Sequence, residues 1–408
     1  MPRTSSPRLV SLALALGALC FSDACGHGAA EQRRAAAPAV AALAHGDFGG
    51  AGSRASALLA SDPGSSSAAL VRAVTRYERA MHQLSLDLRT AVAGGVVAGE
   101  LNQKFLTSAL SDAESALDAV DHDLATAERD ADLAIDLCVA CMELDWNGNG
   151  QVDERDRLLF QIEQDAAGQP IPEGDARRKP TFRFDHGDVL WARAFVAFQR
   201  AAVDLGLAYD WGPAARIVAD RDDAPSEIRL RLIAPQRVAD ARERLLDGLR
   251  WSGATRDAYL AETDDEREWV PNPSQQSHPL PLPVDTALYQ TWKDVVGDLE
   301  RLVRGDEGLS LGELSRLVER RPARAPTGYL DVGRMLSQPQ DIVIDVAGLE
   351  SFDRAHDSDG VLKSLFGPYY VQHMQASPLL GRMARMKEEV DRAKEPLSRK
   401  LMYLFWIN

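Results

Sequence analysis

At 408 residues and 45% hydrophobic content, the chain can form two or three domains or one large helical body with a buried core, which excludes wholesale disorder. Its formal net charge of -15 at pH 7 argues against nucleic acid as a partner, because phosphate recognition needs clustered Lys and Arg to displace counterions. Cations suit such a chain better.

Residues 1–25 read as an export signal. Arg3 and Arg8 form a basic start, and Leu9 to Phe21 form an apolar run shorter than the roughly 20 residues that span a bilayer as a helix. The following "DACG" resembles the processing site of bacterial lipoproteins, although Ser22 and Asp23 depart from its preferred residues. That resemblance implies a lipid on Cys25 and an anchored product in the periplasm or at the cell surface. Cleavage after Ser22 and Ala24, releasing a soluble protein, is the alternative. No other stretch reaches transmembrane length, so membrane attachment would come only from the lipid. Residues 26–37, rich in Gly, Ala and charge, are expected to be a flexible tether.

An N-terminal helical region is predicted over 38–165. Ala-rich faces give two or three helices, interrupted at "HGDFGGA" and "SDPGSSS". "GDFGGAGSRASALLASDPG" resembles one tetratricopeptide-type hairpin, with no second copy to make an array. Glu100 to Met142 reads as two long helices, the first carrying Leu101, Phe105, Leu106 and Leu110. The second runs through Leu117, Leu124, Ala127, Leu133, Leu137 and Cys141. Cys138 and Cys141 lie at its end. In an oxidising compartment they read as two small buried residues or as a local disulfide. Zinc would need two more ligands that no nearby motif supplies.

"LDWNGNGQVDERDRLLF" follows, with "ERDRLLFQIEQD" expected as an exit helix. A polar linker over 166–184 holds Pro170, Pro172 and Pro180. The central helical region, 185–270, opens on "DHGDVLWARAFVAFQRAAVDLGLAYDW", expected to be the core helix, with Asp185 and Asp188 capping its start. Two further helices are predicted through "APQRVADARERLLDGLRWSG" and near "ATRDAYLAETDDEREW". The Pro-rich connector 271–284 is expected to strap the helical body through Trp269 and its Leu-Pro alternation. In the C-terminal helical region, 285–408, "DIVIDVAGL" is the one convincing β-like run. The predicted class is all-α, a bundle-like body with at most one or two short strands.

The chemistry lies in the stretch that begins at Leu144. Ca²⁺ takes six to eight oxygen ligands, and a twelve-residue loop can supply them if alternate side chains point inward and a glycine makes the sharp turn. Asp145, Asn147 and Asn149 fall at the first, third and fifth places and Gly150 at the sixth. Gln151 would give its backbone carbonyl, Val152 takes the apolar eighth place, and Asp153 and Asp156 stand at the ninth and twelfth. This resembles an EF-hand loop, and its final Asp and "DxNxNG" opening look like a dockerin, a bacterial relative that carries two such loops in tandem. The resemblance implies one bound Ca²⁺, with Mg²⁺ as the other candidate ion, at an affinity of about 10⁻⁵ to 10⁻³ M. An Asn-Gly turn that never holds an ion is the competing reading. Two partner segments, Arg304 to Leu317 and the one holding Asp357, Asp359 and Gly360, lack parts of the pattern and read as solvated loops.

No GxSxG, HExxH, P-loop or complete GxGxxG motif is present. His186 and His356 sit among aspartates, which points to polar loops or to acid-base work. The expectation is therefore an exported, lipid-anchored, helical calcium-binding protein of the bacterial cell envelope with a structural or partner-binding role. An envelope enzyme in which calcium is only structural and a metal-free helical scaffold are the alternatives.

Overall fold

The computed structural model describes residues 30–98, 103–142, 151–152, 161–165, 169–214, 226–276, 278–279, 284–318, 325–352 and 357–392. The fold is mostly helical, as the periodicity predicts. Helix α1 spans residues 30–44, α2 Phe48–Ser61, α3 Ser66–Ala98 and α4 Gln103–Ala127. Helix α1 takes in residues 30–37, read from composition as a tether; its Ala36 is fully buried, which a solvated tether would not provide.

Helices α3 and α4 lie antiparallel, with Ser66 hydrogen-bonded to Thr126 and Arg72 paired with Asp123. The buried residues of α4, Leu106, Ala109, Ala113, Leu117, Val120 and Leu124, recur at the three- and four-residue spacing of a single stripe. Fully buried Asp123 interrupts that apolar face. It accepts from Arg72 Nε at 3.0 Å and Nη2 at 2.5 Å, and from Arg76 Nη1 at 2.8 Å.

Beyond Ala127 the sequence reading needs correction. The two helices read over Glu100 to Met142 are one helix, α4, which ends there, and Ala134–Leu137 is strand β1. Asp130 closes the intervening turn by accepting from Asp132 N at 3.1 Å. From Leu133 to Leu137 burial alternates along the chain, a period of two that the helical reading passed over. Strand β1 pairs antiparallel with β2, Phe182–Asp185, in a register that sets Ala134 opposite Asp185 and Leu137 opposite Phe182. Cys138 and Cys141 flank the turn that follows and are joined as a disulfide, one of the two readings left open by their spacing.

The central helix α5, His186–Ala208, crosses α6, Pro235–Ala261, and rests on α4. Its Val189, Val196, Val203 and Leu207 are buried, as expected of a core helix. Helix α6 is one continuous element where two were predicted, and Gly248 lets it approach closely. A Cβ at Gly248 would stand 2.6 Å from the Phe198 ring. Asp204, fully buried at the crossing, is held by Arg237 at 2.9 Å and Arg244 at 2.7 Å.

The C-terminal part is built from α7 (Thr286–Arg304), β4 (Leu309–Ser310), α8 (Leu311–Leu317), β5 (Tyr329–Leu330), α9 (Val332–Ser337), β6 (Ile342–Asp345), α10 (Val346–Ser351), α11 (Ser358–Phe366), β7 (Tyr370–Val371) and α12 (Leu379–Arg392). Strand β6, the β-like run read from sequence, pairs with β3, Glu227–Leu230. Strands β4, β5 and β7 form a small sheet. Seven short strands are present among the described residues rather than one or two, because pairs of two to four residues leave almost no pattern in a sequence. None of the described helices is long and apolar enough to cross a membrane.

Candidate metal centre

Three separate segments converge where α5 begins and α6 ends. Asp185 is the last residue of β2 and the N-cap of α5, accepting from Gly187 N at 2.7 Å and Asp188 N at 3.4 Å. Asp188 answers by accepting from Asp185 N at 2.9 Å, completing a capping box and bearing out the capping role read from sequence. Glu262 is the C-cap of α6. The chain then turns back, with Arg267 at a φ of 61°, and lays Glu268 beside β2, where Arg183 N donates to Arg267 O at 3.1 Å.

Asp185, Glu262 and Glu268 each present a carboxylate oxygen within 4.8 Å of the other two. Oxygens bound to one Ca²⁺ at about 2.3 to 2.6 Å can stand at most about 5 Å apart, so the spacing fits the ligand set of a single ion. Gly187 makes the approach feasible. A Cβ there would lie 2.6 Å from the Tyr259 ring and 3.1 Å from Glu262 Oε1. Asn272 fastens the end of α6 by donating to Tyr259 O at 2.9 Å and Glu262 O at 3.2 Å, and Gln275 donates to Asp264 O at 2.8 Å. The Pro-rich segment thus straps the helical body at its described residues, with Trp269 buried against Phe182 and Phe184.

The nearest guanidinium groups have other partners. Arg183 pairs with Glu266, and Arg267 with Asp136 at 3.0 Å. Burial first, and then the charges of Asp185, Glu268 and Asp188, push the Glu262 carboxyl up to about 9. Burial likewise raises Glu268, and it raises Asp188 well above the usual carboxylate range, with the Asp185 charge adding to the effect. Asp188 is satisfied at both oxygens, because Tyr259 donates to its Oδ1 at 2.7 Å. Beside the cluster opens a cavity of about 450 Å³ lined by Asp132, Arg183, Asp185, His186, Glu262 and Asp264. His186 Nδ1 is buried there without a hydrogen-bond partner among the described residues.

No family model matches the chain, and no curated protein or solved structure resembles it. The site is therefore read from its own chemistry.

Of the loop predicted to hold calcium, Gln151 and Val152 are described, whereas Asp145, Asn147, Asn149, Asp153 and Asp156 lie outside the described residues. The flanking context differs from the expected one. Residues leading to Met142 form β1 and a short 3-10 turn, Val139–Cys141, instead of an entering helix. On the far side, residues 161–165 are not helical, with Ile171 N donating to Glu163 O at 2.8 Å, where the sequence predicts the end of the exit helix. The register of β1 and β2 places Leu137, where the chain leaves toward the loop, at the end of the ladder opposite Asp185. His356 and Cys25 also lie outside the described residues. Asp357 and Asp359 serve as local ties, Asp357 capping α11 and Asp359 accepting from Thr327 N at 2.9 Å and Tyr370 Oη at 3.0 Å.

Sequence reasoning missed Glu262 and Glu268. Their signal was the acidic run "ETDDERE" before Trp269, which looks like a solvated surface until the buried tryptophan is taken as a sign that the segment turns inward.

Proposed function

We propose that the chain is an exported helical protein that binds a divalent cation, Ca²⁺ before Mg²⁺, through Asp185, Glu262 and Glu268. The observation that carries this reading is the convergence of three carboxylates at a separation suited to one ion, with the neighbouring Arg183 and Arg267 ion-paired elsewhere. An ion there ties the start of α5, the end of α6 and the returning segment together. It adds its binding free energy to the folded state. The oxygen pattern at residues 145–156 supports the same preference for hard cations as a second, separate locus. The Cys138–Cys141 disulfide and the signal-like first 25 residues support an oxidising, extracytoplasmic setting, with lipid on Cys25 as the anchor and an envelope component as the partner.

Calorimetric titration of Ca²⁺ and Mg²⁺ into chelator-treated protein tests this, run beside Glu262→Gln with Glu268→Gln and beside Asp145→Ala. Loss of heat in the double variant with retention in Asp145→Ala supports the three-carboxylate centre. The converse pattern transfers the ion to the loop. Absence of heat from the unaltered protein overturns the cation reading.

One observation favours a second reading. The 450 Å³ cavity gathers His186 with Asp185 and a Glu262 that holds its proton near neutral pH, the ingredients of acid-base catalysis by an envelope enzyme. Under that reading Glu262→Gln and His186→Ala abolish turnover of a small polar substrate while cation addition leaves thermal stability unchanged.

A further inference from the structure

A second chamber lies on the other side of β2. It encloses about 320 Å³ and is walled by α2, α3, β1, β2 and α5, with Leu70, Val74, Met81, Ile135, Leu137 and Val189 in its lining. That volume sits at the lower end of the roughly 300 to 1,000 Å³ typical of small-molecule sites. A chamber with such walls is a poor host for water, which needs two to four polar partners.

Its polar groups are few. Glu78 and His82 stand one turn apart on α3, and Asp188 lies in the lining on α5 with both oxygens already hydrogen-bonded. Ser85 and the Tyr77 hydroxyl complete the set, the latter accepting from Gln199 Nε2 at 2.6 Å. No Lys or Arg lines the chamber among the described residues. Four aromatic side chains, Phe48, Tyr77, Phe184 and Trp191, also line it, and aromatic rings attract cations over their faces. An ammonium head would complement Glu78, whereas a carboxylate head would face it with His82 as the one basic side chain in the lining among the described residues.

We infer that this chamber is a binding site for a single-chain amphiphile bearing a protonated amine, its hydrocarbon tail among the apolar walls and its head beside Glu78. The volume, at the small end of ligand-sized sites, suits a short tail such as a decyl chain. Burial raises the Glu78 carboxyl and outweighs the opposing pull of His82 and Arg79, a pull that an incoming ammonium would reinforce. The inference is independent of the cation centre, which uses other carboxylates.

Calorimetric titration with decylammonium, decanol and decanoate below their micellar concentrations tests it, using the full chain. Saturable one-to-one binding of decylammonium is expected, about tenfold tighter than decanoate, a difference of one decade in Kd. Glu78→Gln should bring the two within about threefold of each other, and Ala192→Trp, which fills the chamber from α5, should abolish both. If circular dichroism shows that the Trp variant does not fold, the Glu78→Gln comparison decides alone. Equal or tighter decanoate binding, preserved discrimination in Glu78→Gln, or no saturable binding by the unaltered protein overturns the assignment.

Discussion

The Tyr259 hydroxyl donates to Asp188 Oδ1 at 2.7 Å, joining the last turns of α6 to the first turn of α5 inside the protein. Both residues are buried, so neither has water as an alternative partner. Tyr259→Phe leaves a buried carboxyl oxygen without its donor at nearly constant volume. A loss of about 1 to 3 kcal/mol is expected, measured as a lowered urea midpoint with unchanged slope.

The acidic cluster sets a pH dependence whose sign follows from Glu262. Its folded-state value, about 9, lies above the ordinary 4.5, so the folded protein holds a proton that the unfolded chain releases. The stability this supplies is fully present below about pH 4.5, declines as pH rises, and is lost above about pH 9. Glu268 and Asp188 shift in the same direction. Thermal midpoints in chelator should therefore fall between pH 5 and pH 9, and Glu262→Gln should make the decline shallower. Calcium, competing with the proton for the same oxygens, should raise the midpoint most at the alkaline end. A midpoint that climbs with pH in chelator would contradict this account.

Two glycines of α6 should answer opposite ways to the same change. A methyl at Gly248 meets the Phe198 ring at 2.6 Å, so Gly248→Ala forces α5 and α6 apart at a cost of about 1 to 3 kcal/mol. At Gly253 nothing lies within 4 Å of the added carbon. There Gly253→Ala should stabilise by about 0.5 to 1 kcal/mol through helix propensity alone. Paired denaturation curves check both signs in one experiment.

Asp123 joins α3 to α4 through two arginines. Removing the carboxylate leaves Arg72 and Arg76 without their shared partner in the partly buried seam, and Asp123→Ala should cost about 3 to 5 kcal/mol. Replacing an exposed member such as Arg250, whose bond to Asp247 lies in solvent, should change stability by less than about 1 kcal/mol. Equal effects from the two changes would remove the buried ion pair as a fastening of the α3–α4 hairpin.

How far the sequence was legible depended on element length. Helices α2, α3 and α5 announce themselves because an apolar stripe repeated over several turns is hard to produce otherwise, whereas the helical pattern of α4 and α6 is legible but each reads as two helices; the Asp185 and Asp188 cap was readable from residue type and position alone. Strand β1 was not, since Leu133, Leu137 and Cys141, four residues apart, also read as a continuation of the helical stripe, and only the partner strand, some 45 residues later, resolves the ambiguity. The cluster of Asp185, Glu262 and Glu268 was hidden for a related reason. Glu262 and Glu268 lie close together in sequence, but more than 70 positions after Asp185, and what unites the three is the close crossing at Gly187, which no local pattern encodes.

Strand β2 is four residues long, yet it serves as a partition between two chambers of opposite character. Phe184 looks into the oily room, while Arg183 and Asp185 look into the charged one. Sliding the strand by a single rung would swap the tenants, placing a carboxylate among hydrocarbons and an aromatic ring among anions. The sulfur staple beyond Leu137 and the cap at Asp185 sit at opposite ends of this wall, and together they hold it in the only position that keeps both rooms furnished.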